Sequence, residues 1–155
     1  LRGETFVTKK ITKALTLIKL KKQKKLFLGN LYSKRDWGHA EDYVHAMWKI
    51  LNHKKPDDFV IATNFQIKIK DFIMMVCNEL DIKLKWRGKG LNEKGYDQNG
   101  KCIIEVDKRY FRPLEVEHLK GDYSKAKKIL KWKPKKNIKI LVKEMVEYEI
   151  KKNGK

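Results

Sequence analysis

The sequence predicts an α/β fold of about five helices and four short strands. Apolar residues recur at spacings of three and four in five separate stretches, as they do down one side of a helix. Short β-rich runs stand between those stretches, and the two kinds of element alternate without an internal repeat.

The first helix is expected over 9–20, where Ile11, Ala14, Leu15 and Ile18 draw one stripe and Thr8 could supply the cap. Lys21, Lys22, Lys24 and Lys25 break that pattern and read as a solvated loop before "LFLGN", a short buried strand ending in a turn. A second helix is expected over 40–51, with Tyr43, Val44, Met47, Trp48 and Leu51 on one face. Pro56 and two aspartates separate it from "FVIAT", which reads as a strand over 59–63. The third helix carries Ile69, Phe72, Ile73, Val76, Cys77 and Leu80, and the alternation of Ile82, Leu84 and Trp86 with cations predicts a strand with one wet face.

Four glycines between Gly88 and Gly100 predict an exposed loop. "CIIEV" follows as a strand, and "RYFRPLEV" as an irregular segment in which Pro113 blocks continuous helix. "GDYSKAKKIL" has the look of a short capped helix with Ala126, Ile129 and Leu130 inward, and Pro134 lies past its end. The last helix begins near Asn137 and should bury Leu141, Val142, Met145 and Val146. Residues 1–150 therefore form the structured portion, and Lys151 to Lys155 a frayed basic tail.

A chain of 155 residues suits one domain or a large part of one, and its hydrophobic fraction of 41% with four tryptophans excludes a wholly disordered polymer. No apolar run approaches the roughly 18 residues of a membrane span, and the amino end lacks the layout of a secretory signal, so a cytoplasmic location without membrane contact is expected. Cys77 and Cys102 are too far apart for a local metal knuckle and too few for a disulfide scaffold; both are expected as core thiols. A first residue of Leu1 that begins inside an apparent element suggests a fragment. Lys+Arg 38 against Asp+Glu 19 gives 38 − 19 = +19, which favours anionic partners. The lysines spread over the whole length, a pattern that biased nucleotide composition also produces.

The chemistry is sparse. No glycine-rich phosphate loop and no zinc pattern occurs, and His39 and His45, six residues apart, do not share a helix face. Tyr123 with Lys127 and Tyr148 with Lys152 show the Tyr-x-x-x-Lys spacing of reductases. Neither follows the strand and serine which that chemistry requires, and both read as surface pairs. Lys10, Arg35, Arg112 and Glu115 sit just outside predicted elements. Arginine forks bind diphosphate oxygens and a carboxylate accepts from ribose hydroxyls, so these four would make a nucleotide-sugar grip. Composition alone does not choose this over a scatter of surface charges.

At these residues a resemblance enters. "RGETFVTKKIT", "LGNLYSKRDWGHAEDYVHAMW", "PDDFVIAT", "VDKRYFRPLEVEHLKGDYSKAKKIL" and "WKP" resemble, in order and spacing from Arg2 to about Tyr148, the carboxy-terminal part of the GDP-mannose 4,6-dehydratases, a family of extended short-chain dehydrogenases/reductases. Nucleotide-sugar epimerases share some of these blocks, but "FVTKKIT" joined to "RDWGH" and "YFRPLEV" points to the dehydratases. The resemblance implies the substrate-binding part of such an enzyme with the Rossmann core largely missing. It implies conversion of GDP-mannose to GDP-4-keto-6-deoxymannose, with NADP as transient hydride acceptor.

By motif match the resemblance places Lys10, Arg35 and Arg112 on the GDP diphosphate, Glu115 on the ribose and Arg2 on NADP. Asp36, Gly38 and His39 would shape the turn and helix start. The family's cofactor loop and catalytic residues would lie upstream, so the partners implied are GDP-mannose, an amino-terminal Rossmann portion and further copies in a homo-oligomer. This chain would be inactive alone. Three departures stand out: Lys9 where the family has arginine, Lys131 where it has glycine, and "TNFQIKIKDF" after "FVIAT". A basic nucleic-acid-binding module is the competing reading, weakened because the aromatics fall in apolar stripes rather than among cations.

Overall fold

A computed structural model describes Gly3 and residues 6–154. Five helices and seven short strands occur among the described residues: α1 (Val7–Lys19), β1 (Leu26–Leu28), β2 (Lys34–Arg35), α2 (Ala40–Leu51), β3 (Ile67–Lys68), α3 (Ile69–Glu79), β4 (Lys85–Arg87), β5 (Lys94–Tyr96), β6 (Cys102–Val106), β7 (His118–Leu119), α4 (Ser124–Ile129) and α5 (Ile138–Asn153). The α/β class and the count of helices hold. The chain forms two compact units, residues 1–33, 68–115 and 142–155 making the first and residues 34–67 and 116–141 the second.

The first unit is built on a four-stranded sheet in the order β1-β6-β5-β4. β1 runs parallel to β6, Leu26 opposite Ile104, while β5 is antiparallel to both β6 and β4. α1 packs on α3 and β1. Ile11, Leu15, Phe72, Ile73, Val76, Cys77, Ile103 and Ile104 are fully buried, which is the apolar stripe that the helical spacing of α1 and α3 requires. β5 lies inside the segment expected to be loop: the glycine-rich stretch tightens through a 3-10 turn at Gly90–Asn92 and then pairs, with a register shift at Gly95/Tyr96.

Several expectations fail for local reasons. Thr8 is no cap: α1 starts at Val7 behind Phe6, and Thr8 is buried within the helix. Lys9 is buried too, paired with Glu149 of α5 and 4.6 Å from the Tyr148 ring centroid. Tyr148 is therefore tied to Lys9 rather than only to its surface neighbour Lys152. α5 continues to Asn153, whose carbonyl accepts from Lys22 Nζ at 2.6 Å and whose amide donates to Glu149. Cys77 is a core thiol, its pKa pushed up to about 12 by burial. Cys102 is only half-buried beside Glu105.

In the second unit β2 pairs in parallel with β7, and Ala46, Ala126, Leu130 and Trp132 form the core with Tyr43, Ile50, Phe59, Ile61 and Tyr123 against it. Tyr123 meets Trp132 edge-on at 5.6 Å, so it too is more than a surface residue. Ile129, expected inward, is 40% exposed. The bounds of α2 match the expectation, but its inward face does not. Ala46 and Asp42 point to the core, while Val44, Met47, Trp48 and Leu51 are 59 to 84% exposed. "FVIAT" is extended but unpaired: Phe59 to Ala62 make no backbone hydrogen bond among the described residues. A β-branched run favours extended backbone, yet a strand exists only when a neighbour completes the ladder.

Asp42 holds this unit together. Its Oδ2 accepts from the backbone N–H of Lys135 at 3.0 Å and of Lys136 at 2.9 Å, and its carbonyl accepts from Trp132 Nε1 at 3.0 Å. The carboxylate is buried, so Asp42→Ala removes two charge-assisted bonds and leaves two N–H groups to find water. The expected cost is about 2 kcal/mol, read from the thermal or urea midpoint, with Asp42→Asn intermediate.

Candidate functional site

Three backbone-level ties bind the end of β1 to residues 107–115 in the first unit. Asp107 N–H donates to the Leu28 carbonyl at 2.8 Å. Gly29 lies against the Tyr110 carbonyl so closely that a Cβ there would fall 2.0 Å from the oxygen. Asn30 then grips Arg112 at two points: its amide donates to the Arg112 carbonyl, and its Oδ1 accepts from the Arg112 N–H, both at 2.9 Å. The irregular segment around Pro113 is thus fixed at its base, although its tip carries Leu114 at 98% exposure.

Lys10, the fourth residue of α1, reaches this segment through Tyr110, with Nζ 3.6 Å from the ring centroid. Burial holds the Lys10 pKa below its ordinary value, and the Asp107 carboxylate opposes that shift. Asp107 is itself held below the usual carboxylate range by Arg109, whose guanidinium donates to it at 2.8 Å. Arg112 extends into solvent, 80% exposed along its side chain, and stands 3.9 Å from Glu115 Oε2. Lys10, Arg112 and Glu115 therefore belong to one unit and gather around one strand end. Asn30, Asp107, Arg109 and Tyr110 organise the place and were not singled out from sequence; Asn30, Asp107 and Tyr110 meet partners far off in the chain, beyond the reach of any spacing rule.

Arg35 belongs to the second unit, on β2. Its Nη1 donates to the carbonyls of Lys34 at 2.8 Å and Val116 at 2.7 Å, which fixes the side chain along the β2–β7 pair. The residues that follow shape the helix start. Asp36 Oδ1 accepts from Thr63 N–H at 3.0 Å and from its hydroxyl at 2.5 Å. Gly38 leaves room for the Tyr43 ring, and His39 Nδ1 accepts from Glu41 N–H at 3.2 Å as the cap of α2. Arg2 lies outside the described residues.

The α/β fold is one that solved structures of low sequence identity share. The structure matches that of RMD from Pseudomonas aeruginosa complexed with NADPH at a TM-score of 0.78 and 16% identity, covering 97% of this chain and 44% of that one. It matches a dTDP-glucose 4,6-dehydratase from Bacillus anthracis in complex with NAD at 0.69 and 18%, covering 98% and 41%. The sequence model of the GDP-mannose 4,6 dehydratase family matches residues 1–145. The chain belongs to that family. It is 48% identical over 149 residues to GDP-mannose 4,6 dehydratase 2 of Caenorhabditis elegans, with 96% of this chain and 39% of that protein covered. With GDP-mannose 4,6 dehydratase 1 of Arabidopsis thaliana it shares 50% over 149 residues, covering 96% and 37%. The chain thus spans about two fifths of the length of such relatives. No described helix is long and apolar enough to cross a membrane.

Proposed function

We propose that residues 1–150 are the GDP-sugar-binding portion of a cytoplasmic GDP-mannose 4,6-dehydratase, which converts GDP-mannose to GDP-4-keto-6-deoxymannose. The carrying observation is a family match over residues 1–145 in a chain that spans two fifths of its relatives. Lys10, Arg35 and Arg112 contact the diphosphate, and Glu115 accepts from the ribose hydroxyls. The base and the NADP site belong to an amino-terminal Rossmann portion, with Arg2 adding one contact to the cofactor. NADP supplies a transient hydride acceptor; the part played by this chain is to hold and orient the nucleotide so that the sugar is presented in one pose.

Such a portion would cover apolar surface that the second unit leaves exposed. Val44, Met47, Trp48 and Leu51 expose one apolar stripe on α2, and the extended residues 59–62 make no backbone hydrogen bond among the described residues. Both are unfavourable in water and both suit a neighbouring sheet. The complete enzyme then assembles as a homo-oligomer. Purified chain alone should give no turnover of GDP-mannose. Adding the amino-terminal portion of a relative should restore it and quench the exposure of Trp48. Turnover by the chain alone would overturn the reading.

Lys10 gives a second expected result. A diphosphate opposes the desolvation that lowers its pKa, so binding raises it. Between the lowered and raised values GDP binding takes up a proton, and affinity falls as pH rises through the lowered value. Calorimetry in alkaline buffers of differing ionisation enthalpy reads that uptake, and Lys10→Met should abolish it. A nucleic-acid module would instead bind unrelated sequences alike, with strong salt dependence.

A further inference from the structure

The four residues proposed to grip GDP leave unexplained a cleft of about 350 Å³ that lies wholly in the second unit. Trp37, Thr63, Phe65, Pro134, Lys135, Lys136 and Lys139 are among the residues that line it. None of Lys10, Arg35, Arg112 and Glu115 lines it. Its volume falls at the small end of the roughly 300–1,000 Å³ of small-molecule sites.

The carboxylates around it are already engaged. Asp42 takes the N–H groups of Lys135 and Lys136, Asp36 takes Thr63, and Glu41 pairs with Lys136 Nζ at 2.7 Å. The ammonium groups of Lys135 and Lys139 have no acidic partner among the described residues. The backbone that carries Lys135 is tied to the buried Asp42, so the side chain springs from a fixed point of the cleft lining. Phe65 in the same lining is 54% exposed, an aromatic side chain open to solvent. Uncommitted cations beside a bare aromatic ring select a ligand that carries an anionic group and a flat ring together.

We propose that this cleft is a second ligand site, separate from the GDP grip, for a compound of the nucleoside monophosphate class. The phosphate pairs with Lys135 and Lys139 and the base lies on Phe65, beside Trp37.

The test follows the assigned Trp37 indole N–H in the NMR spectrum of the 155-residue chain, titrated with GMP, guanosine or inorganic phosphate. GMP should shift it saturably, and guanosine and inorganic phosphate should each bind about tenfold more weakly, since each supplies half of the recognition. Lys135→Gln with Lys139→Gln, both at exposed positions, should weaken GMP about tenfold, and Phe65→Ala by a similar factor. Arg112→Ala should leave the Trp37 response unchanged. Three results would overturn the site: no Trp37 shift with GMP, an equal response to inorganic phosphate and GMP, or an unaltered response in the lysine pair variant.

Discussion

Gly29→Ala should destabilise the first unit by about 3 kcal/mol or more, at the upper end of the cost of overpacking. Its added methyl would meet the Tyr110 carbonyl oxygen at 2.0 Å and the Phe111 nitrogen at 3.0 Å, and both are backbone atoms that cannot swing aside. The segment must leave the end of β1, which also breaks the Asn30 grip on Arg112 and takes Tyr110 from under Lys10. Urea unfolding reads the loss as a lower midpoint at unchanged slope. Gly100→Ala is the control. It has a φ of +75° with nothing within 4 Å of its Cβ, so it carries strain alone, about 1 kcal/mol. Equal effects at the two glycines would mean that residues 107–115 are not held against β1.

Lys9→Met should cost about 3–5 kcal/mol, because it strands a buried carboxylate. Glu149 is 1% exposed along its side chain and Lys9 is 7%. With the lysine gone, Asn153 Nδ2, donating to Oε2 at 3.0 Å, is the one side-chain partner left to the Glu149 carboxylate among the described residues. Glu149→Leu alone strands the cation instead and should cost as much. Lys9→Met with Glu149→Leu should recover most of the loss, since an apolar pair of similar volume fills the site without desolvated charge. If Lys9→Met costs less than about 1 kcal/mol, the pair is solvated and contributes no more than a surface ion pair.

Glu149 shows why parts of this fold were hidden in the sequence. On the helical pattern it reads as a polar position of α5, and nothing local says that Lys9, 140 residues away, comes to meet it. The bounds of α2 were legible because His39, the glycine before it and the periodic apolar residues are all local signals. Its inward face was not, because small Ala46 and buried Asp42 outweigh four larger apolar residues once Trp132 and α4 are packed against them. "FVIAT" has the composition of a strand and lies against Gly121, but it makes no backbone hydrogen bond among the described residues to complete a ladder. For the site, Lys10, Arg112 and Glu115 came from motif resemblance. Their shared location rests on Asn30 and Gly29, which contact residues about 80 positions later and leave no spacing to read.

Titration of the folded 155-residue chain with GDP in a calorimeter tests the central claim most directly. Saturable heat is expected at millimolar ligand or below, weakened about tenfold by Arg112→Ala, whose exposed side chain can be cut without disturbing the core. No heat from a folded sample, or undiminished heat from that variant, would contradict it.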